Sequence, residues 1–435
     1  MVGGSGAVLP GPGVGFGRQV WESGVQLVLG ASLEGVDKSN GRLIALCAGG
    51  ARYEGSVFVD ASYEGDLMAA AGVRYRVGRE PRTFYCERWA GRQPAYRPGM
   101  HNFEVVISPF RQPGSQELLA GIAPTPVDEL GWPEEALGEG DGALQAYQLR
   151  LCMTDRPANQ LPLREPGGYD PDRFELLRRY LAAGGDRRPA GRLLGLVPDL
   201  LPNGKCDVNS IGPFSLNVLD GSNGPYPEAG VAERAAIYEH HRRYSHELLY
   251  FLQTDGAVPE ELRREFRRWA LCADEFTDNE GWLYQLYVRE SRRMQGTVVL
   301  TEADLLRPKP IADAVAFGSY NIDIREVQRS WRYLPEYHAE PAVFNEGYLS
   351  LAVPLYLIPY GCLLPREEEV DNVLVAICCS ASHVAYGSLR TEPTLMALGE
   401  AAGTAAAMAA LAGVPPARVP PASLAARLET GRRRI

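Results

Sequence analysis

The residues best suited to chemistry lie in a polar turn, Ser380 to Pro393, between an apolar strand and a helix of small residues. The turn carries His383, whose imidazole can transfer a proton near neutral pH, and Arg390, which is permanently positive. Backbone N–H groups and the positive end of the helix dipole converge there, which suits a phosphate, a carboxylate or an electron-rich ring. An ordinary packing helix and a structural histidine are the alternatives.

The elements on either side of this turn can be predicted from the sequence. An apolar strand over Asn372–Cys378 precedes it, and a helix from near Glu392 to Gly413 follows it. Gly399 and Gly403 lie one turn apart on that helix, so we expect this face to pack closely against a sheet or a ligand. Strand, turn and helix start together predict a ligand-facing edge.

The composition is that of a globular protein. The chain has 435 residues, 45% of them hydrophobic, and a net charge of -10. That length allows two or three domains with an ample core. The negative charge argues against a nucleic-acid partner, and the arginines near the carboxyl terminus are expected to form a solvated tail. No apolar run approaches the roughly 18 residues of a membrane span, so no membrane partner is predicted.

Eight cysteines are scattered along the chain without a CxxC pair or any other metal-ligand spacing. No metal site is therefore predicted, and buried free thiols in a reducing compartment are expected. The amino terminus lacks the basic start and unbroken apolar core of a signal peptide, which favours a cytoplasmic location. Residues 1–17 are rich in glycine and proline. No strand precedes them and prolines interrupt them, so we interpret them as irregular rather than as a phosphate-binding loop.

The first ordered part of the chain has the pattern of a small β-meander. Its predicted strands are Val25–Leu33, Arg42–Leu46 and Ser56–Asp60, with turns at Asn40-Gly41 and Gly49-Gly50. The last strand stops at Asp60, and an alanine-containing helix follows. Asp60 and Ser62 would either cap that helix or face a ligand.

The middle of the chain is predicted to be mainly helical. Apolar residues at helical spacing indicate amphipathic helices over 171–183, 228–253 and 259–271. Lys205, Asp207 and Asn209 alternate on a predicted extended segment, so they share one face, which would grip substrate hydroxyls or be solvated. Arg289 and Arg293 are i,i+4 neighbours on a predicted helical segment, where interdomain salt bridges are the alternative to ligand binding.

Several blocks of the sequence resemble, in the same order, a bacterial FAD-dependent oxidoreductase family whose members are often labelled xanthan-lyase-like. These blocks are Val59–Val73, Val77–Glu80, Leu151–Asn159, Gly168–Pro171, Leu201–Ser210, Tyr287–Met294, Gly318–Asp323 and Ser380–Gly403. The resemblance covers roughly Gln19 to Leu411. Several co-linear blocks make it far more specific than any single motif.

The sequence departs from the family pattern in two places. Family members begin with a strand, a GxGxxG-like turn and a helix that hold the ADP half of FAD, and residues 1–17 have no such unit. We therefore expect the chain to lack this part and to bind FAD poorly. The second departure is Arg325, which stands two residues after Asp323, where the family pattern leads us to expect a histidine.

The resemblance implies an α/β fold with α+β elements. A partial, discontinuous FAD-binding Rossmann-like domain would carry an inserted, largely helical substrate domain. Residues 18–80 and 344–413 would form the flavin-binding portion, residues 81–343 the substrate or cap domain, and residues 414–435 a carboxyl-terminal tail.

The resemblance also implies an FAD-dependent oxidoreductase that transfers a hydride from a hydroxylated substrate, such as a carbohydrate, to flavin. Such an oxidation requires a base for the departing proton and positive charge near the flavin N1–C2=O group. A non-catalytic remnant or binding module is the alternative. The polysaccharide lyase activity of the family label is another, although a flavin fold gives no obvious reason for β-elimination.

The resemblance and the residue patterns together give three sets of candidate site residues. The predicted catalytic residues are His383, Arg390 and Tyr386. The predicted FAD-binding residues are Asp60, Ala61, Ser62, Glu64, Gly65, Asp66, Ser380, Ser382, Gly387, Ser388, Glu392, Gly399 and Gly403. The predicted substrate-binding residues are Lys205, Asp207, Asn209, Arg289, Tyr320 and Asn321. The expected partner is a small-molecule or carbohydrate substrate, and the oligomeric state is left open.

Overall fold

The computed structural model describes residues 20, 22–93, 101–123, 137–185, 194, 196, 200–334 and 340–432. Residues 1–17, for which an irregular conformation is predicted, lie outside the described residues, as does the end of the carboxyl-terminal tail.

Short strands and helices alternate along the described chain. The strands are β1 Leu33–Ser39, β2 Arg42–Ala48, β3 Ala51–Glu54, β4 Phe58–Asp60, β5 Tyr75–Arg76, β6 Cys152–Thr154, β7 Lys205–Asp207, β8 Ala270–Leu271, β9 Arg293–Met294, β10 Ala314–Gly318, β11 Ile322–Ile324, β12 Gln328–Leu334, β13 Glu340–Glu346, β14 Leu349–Leu351, β15 Tyr356–Pro359 and β16 Val373–Val375. The α-helices are α1 Asp66–Ala70, α2 Arg82–Tyr85, α3 Glu175–Ala182, α4 Val231–Thr254, α5 Glu260–Phe266, α6 Glu302–Leu306, α7 His383–Leu389, α8 Glu392–Ala412 and α9 Pro421–Arg432.

An antiparallel meander, β1–β2–β3, opens the described fold. Asn40 and Gly41 connect its first two strands with positive φ angles of 51° and 76°, the conformation that two-residue hairpin turns of this twist require. A meander and both predicted turns are confirmed, but its predicted strands are confirmed only in part: Val25–Leu33 overlaps β1 only at Leu33, and Ser56–Asp60 contains β4, which pairs with β16 outside the meander. The first strand begins at Leu33 rather than Val25, and the Gly49-Gly50 turn leads into β3, which the sequence pattern did not indicate.

The strand Phe58–Asp60 pairs in parallel with Val373–Val375, and Asp60 lies opposite Val375. Parallel strands are buried on both faces, and helix α8 packs against this pair. The predicted strand before Ser380 and the predicted helix from Glu392 are thereby confirmed.

The segment between them is a helix, α7, and not the polar turn that was predicted. Ser382 accepts a hydrogen bond from the backbone N–H of Ala385 (3.1 Å) and so caps the helix. Gly387 lets α7 lie against β11, since a Cβ atom at this position would be 2.7 Å from Ile324 Cγ1. The serines and the glycine that suggested a turn are therefore capping and packing residues.

Helix α8 buries its alanine and leucine side rather than its glycine side. Its buried residues are Thr394, Leu395, Leu398, Ala401, Ala402, Ala405 and Ala409. A Cβ atom built at Gly399 or Gly403 meets nothing within 4 Å. These two glycines therefore do not pack against the sheet in this structure, and a ligand on their face stays a prediction.

By length and composition alone, α8 is apolar enough to cross a membrane, contrary to the expectation that no segment approaches this limit. Its buried residues belong to an apolar core that also contains residues of β10, β15 and α7. Core helices pass the same test; 33% of the apolar window of α8 is buried, where the helix contacts β10, α9 and the β4–β16 pair.

The middle of the chain is mixed rather than mainly helical. Helices α3 and α4 confirm the predictions over 171–183 and 228–253. The third predicted helix ends at Phe266, because Ala270–Leu271 joins strand β6 as β8. The segment of Arg289 and Arg293 is extended, and Arg293 belongs to a strand paired with β5. Its arginines bond to distant residues instead of to each other.

Two of the scattered cysteines face each other across neighbouring strands. The register of β6 and β8 places Cys152 opposite Cys272, whose N–H donates to the Cys152 carbonyl oxygen (3.2 Å). Their Sγ atoms are 3.7 Å apart. All eight cysteines are free thiols.

We expect Gly387→Ala to lower the free energy of unfolding by about 1–3 kcal/mol, because its methyl group would overlap Ile324. Gly403→Ala is the matched control: its methyl group enters open space, and the higher helix propensity of alanine should stabilise α8 by up to about 1 kcal/mol. Urea denaturation of the two variants measures the difference. Equal effects would contradict the packing of α7 against β11.

Candidate functional site

The carboxylate of Glu290 is the centre of a polar network at the amino-terminal end of α7. Only 1% of Glu290 is exposed. It accepts hydrogen bonds from Arg293 and from Gln145 Nε2 (3.0 Å), and its Oε1 lies 2.8 Å from His383 Nδ1. Burial raises the pKa of Glu290, but the charges of His383 and Arg293 outweigh it, so the pKa is lowered. The residue is therefore a buried carboxylate stabilised by its neighbours.

Two carboxylates fix the position of His383. Its backbone N–H donates to Glu80 Oε2 (2.9 Å), and its ring Nδ1 faces Glu290. Because Nδ1 faces an acceptor, the proton of the neutral ring belongs on Nδ1 and the lone pair on Nε2. Among the described residues, Nε2 has no hydrogen-bond partner. This arrangement orients an imidazole as a proton acceptor.

Arg390 ends α7 two turns after His383, on the same side of the helix and about 10 Å along its axis. Its Nη2 donates to the carbonyl oxygen of Asp323 (2.7 Å) and to Asp323 Oδ2 (3.2 Å). Its Nε is buried and has no partner among the described residues. The side chain therefore keeps a donor that its protein contacts do not use.

Two further arginines lie near Arg390. Burial, followed by the neighbouring charges of Arg325 and Arg390, lowers the pKa of Arg289 to about 9. Asp323 lies between two of these arginines; burial raises its pKa, but Arg325 and Arg390 outweigh burial, so the pKa is lowered. The predicted substrate residue Tyr320 donates its hydroxyl to Asp323 Oδ2 (3.0 Å). The structure thus brings together Arg289 and Tyr320 of the predicted substrate set and Arg390 of the predicted catalytic set.

His101 is a buried residue of this region that the sequence analysis missed. Its Nε2 lies 2.5 Å from Arg325 Nη1 and its Nδ1 3.2 Å from Glu326 Oε1. Burial lowers the pKa of His101 to about 4, so the ring is neutral at physiological pH. A histidine from 224 residues away therefore lies beside the arginine that departs from the family pattern. No local spacing in the sequence signals this contact.

The other predicted residues of the 380–388 segment use their hydroxyl groups inside the protein. Tyr386 donates to the Ile377 carbonyl oxygen (3.2 Å), and Ser388 bonds to the Tyr320 carbonyl oxygen. Ser380 Oγ accepts from the backbone N–H of Gly296 (3.1 Å). These contacts make the three side chains structural supports of α7. Their predicted ligand roles stay predictions.

The loop between β4 and α1 is held by its own contacts and by the middle of the chain. Asp60 accepts from the Ser62 hydroxyl (2.7 Å) and from the Met68 N–H (2.8 Å), as the capping alternative requires. Asp66 pairs with Arg234 (2.6 Å) and Arg292 (2.7 Å). This loop also holds three further members of the predicted FAD-binding set, Ala61, Glu64 and Gly65. Glu64 accepts a hydrogen bond from the Tyr226 hydroxyl, and Gly65 has a φ angle of 71°.

The predicted substrate stripe alternates on β7 as expected, but its side chains bond to protein partners. Lys205 pairs with Asp274 (2.9 Å), and Asp207 accepts from Arg150 Nε (2.9 Å). Asn209 accepts from the N–H of Ser210 (2.8 Å). The stripe is therefore neither a solvated face nor a free set of donors. Asn321, the remaining predicted substrate residue, is exposed.

An aromatic ring connects this stripe to the arginines. Arg150, the partner of Asp207, and Arg289 each have their guanidinium carbon 5.2 Å from the centre of the Tyr287 ring. The Tyr287 hydroxyl lies 3.5 Å from Arg390 Nη1. Positive charge is thus stacked around one tyrosine between the two groups of predicted substrate residues.

Comparison with known proteins gives one match. The family described as FAD dependent oxidoreductase matches residues 16–428, which is most of the chain. No curated protein and no solved structure matches it.

The neutral state of His101 predicts a pH-dependent stability difference. Between about pH 6.5 and pH 4 the unfolded chain binds a proton at this histidine and the folded chain does not, so falling pH should destabilise the fold. In His101→Gln, the fall in the free energy of unfolding between about pH 7 and about pH 4.5 should be about 2–3 kcal/mol smaller than in the unaltered protein. Urea denaturation at the two pH values measures this difference. Parallel pH profiles for the variant and the unaltered protein would contradict a neutral, buried His101.

Proposed function

We propose, from the premise that this chain belongs to the FAD dependent oxidoreductase family, that it oxidises a hydroxyl-bearing carbon of a small substrate such as a carbohydrate. The bound FAD supplies the hydride acceptor. The observation that carries the proposal is the buried pair of His383 and Glu290, which provides the oriented base that such an oxidation requires.

The residues around Arg390 fit the electron-rich edge of a flavin ring. Arg390 has a buried Nε without a partner among the described residues. Immediately after it, the 21-residue helix α8 begins at Thr391 without a side-chain cap. The N–H groups of Glu392 and Thr394 and the positive end of the dipole therefore remain available to a ligand, whereas Pro393 has no N–H and Leu395 donates to the Thr391 carbonyl oxygen. Arg390 and the first turn of α8, from Glu392, would hold this part of the cofactor.

His383 would accept the proton of the substrate hydroxyl at Nε2. Glu290 holds the ring through Nδ1 and stabilises the positive charge that the ring gains on protonation. Glu80 accepts a hydrogen bond from the backbone N–H of His383 and pairs with Arg293 (2.6 Å), so it helps to hold the base in place. In this proposal Glu80, Glu290 and Arg293 are positioning residues, and His383 is the catalytic one.

The free thiols bear on where this reaction takes place. Cys206, Cys272, Cys362, Cys378 and Cys379 are buried, and no cysteine of the chain is in a disulfide. This state suits a reducing compartment, and we place the protein in the cytoplasm.

Flavin spectroscopy tests the function directly. Because weak FAD binding is expected without the unit that holds the ADP half, the protein is mixed with excess FAD, whose absorbance should shift on binding to the donors of Arg390 and α8. Anaerobic addition of a hydroxylated substrate from a sugar and polyol panel should bleach that absorbance. A protein that takes up no FAD, or whose flavin no member of the panel reduces, would support a binding module instead.

His383→Gln should lower the rate of substrate-driven flavin reduction by on the order of 10²-fold or more, because it removes the base. Flavin content should change little. His240→Gln is the matched control, since His240 lies on α4 and pairs with Asp220 outside this network. Stopped-flow absorbance measures both variants. An unchanged rate in His383→Gln would remove this residue from the mechanism.

A further inference from the structure

Arg289, Arg325 and Arg390 form a buried group of positive charges, which we call the arginine cluster. Their exposed fractions are 2%, 7% and 7%. Three separate parts of the chain supply them: the extended segment before β9, the end of β11 and the end of α7. Placing three guanidinium groups together in the interior is costly unless other charges compensate them.

The hydrogen bonds of the cluster go mainly to neutral groups. Arg289 donates to the carbonyl oxygen of Ala146. Arg325 donates to the carbonyl oxygen of Ser210 (2.6 Å) and contacts the neutral ring of His101. Neutral acceptors satisfy N–H groups but leave the positive charges uncompensated.

The nearby carboxylates are too few for the cluster. Asp323 lies 3.2 Å from Arg390 and 3.9 Å from Arg325. Glu326 contacts His101 and accepts from Asn217 Nδ2 (3.1 Å), so its hydrogen bonds go to other residues. Three positive charges thus face two negative ones, and Arg289 has no carboxylate within ion-pair distance among the described residues. Tyr320 and Tyr348 also face this region, and burial raises the pKa of both, so neither supplies a negative charge at neutral pH.

Two other buried arginines of this protein are compensated twice. Arg79 pairs with Asp141 (2.6 Å) and Glu346 (2.7 Å). Arg293 pairs with Glu80 (2.6 Å) and Glu290. Burial lowers the pKa of both, but the carboxylates outweigh it and the pKa is raised, the reverse of the shift at Arg289. The shortage of negative charge therefore distinguishes the arginine cluster from Arg79 and Arg293, although Arg329, buried beside the Phe214 ring, also pairs with no carboxylate among the described residues.

We infer that the arginine cluster binds the carboxylate of an acidic substrate. A guanidinium group presents paired donors that match the planar carboxylate, and Arg289, which pairs with no carboxylate among the described residues, is such a group. The inference rests on the proposed function for the statement that this ligand is the substrate. Arg390 and His383 are about 10 Å apart along α7, so the acid group and the reacting hydroxyl would be separate parts of one molecule, as in a sugar acid.

The first test needs no ligand. Arg289→Met should leave the melting temperature unchanged or raise it, because it removes a buried charge that lacks a counter-charge. Arg79→Met is the matched control and should lower the melting temperature by several °C, since it removes the arginine that pairs with both Asp141 and Glu346 and leaves the buried Glu346 carboxylate without an ion pair. If Arg289→Met lowers it as much as the control does, the cluster is compensated and the inference is wrong. Arg289→Gln provides a second variant if methionine prevents folding.

The second test compares acids with their neutral amides. Calorimetric titration of the FAD-loaded protein with D-glucuronate and D-gluconate, each against its amide, should give at least about 10-fold tighter binding of the acid. Arg289→Met and Arg325→Met should lose most of this preference. Equal affinity for acid and amide, or a preference that survives in Arg289→Met, would overturn the inference.

The outcomes separate this inference from the proposed function. If neutral sugars reduce the flavin as fast as the acids do, the function stands and the carboxylate site falls. If the acids bind with the expected preference but reduce no flavin, the carboxylate site stands and the function falls. If Arg289→Met weakens FAD binding and leaves the acid preference unchanged, the cluster serves the cofactor, and the inference is overturned.

Discussion

The fold depends on the rule that a buried charge needs an opposite charge beside it. Glu290 is the clearest case, because its carboxylate joins Gln145, Arg293 and His383. Arg293 also donates a hydrogen bond to Glu80, and Glu80 accepts a second one from the backbone N–H of His383, the first residue of α7. Removing one member would leave charges unpaired on several elements at once. The same network therefore holds the interior together and orients the imidazole proposed as the base.

The features that the sequence predicted correctly are those set by neighbouring residues. Asn40-Gly41 demands a tight hairpin turn, and a hairpin forms there. The spacing of Arg289 and Arg293 also suggested local structure, but their partners Ala146 and Glu80 are 143 and 213 residues away. Contacts over such separations leave no local pattern in the sequence. They can therefore keep a segment with helical spacing in an extended conformation, and the sequence does not show it. The same reason hid His101 and the contact of Glu290 with His383, although His383 and Arg390 could be singled out.

Helix α8 shows a different limit of sequence reasoning. Its sequence is apolar and small almost all round, so hydropathy does not distinguish the side that faces the core. Packing places Ala401 and Ala405 inside and leaves the glycines in open space. The family blocks identify the cofactor from sequence alone, whereas the division between structural and ligand-facing residues requires the three-dimensional contacts. Ser388, held by a backbone carbonyl oxygen, is one example.

The thiols of Cys152 and Cys272 face each other, so oxidation during purification or storage would change the stability of the protein. Directly opposed residues of antiparallel strands have the Cα separation that a disulfide needs. Oxidation would close a loop between residues 120 positions apart, and a loop of that length removes about 4–5 kcal/mol of entropy from the unfolded chain in the loop-closure treatment. A preparation left in air would therefore contain both the reduced protein and the form with a Cys152–Cys272 disulfide, which melt at different temperatures. Its unfolding curve would depend on how much of the protein had been oxidised.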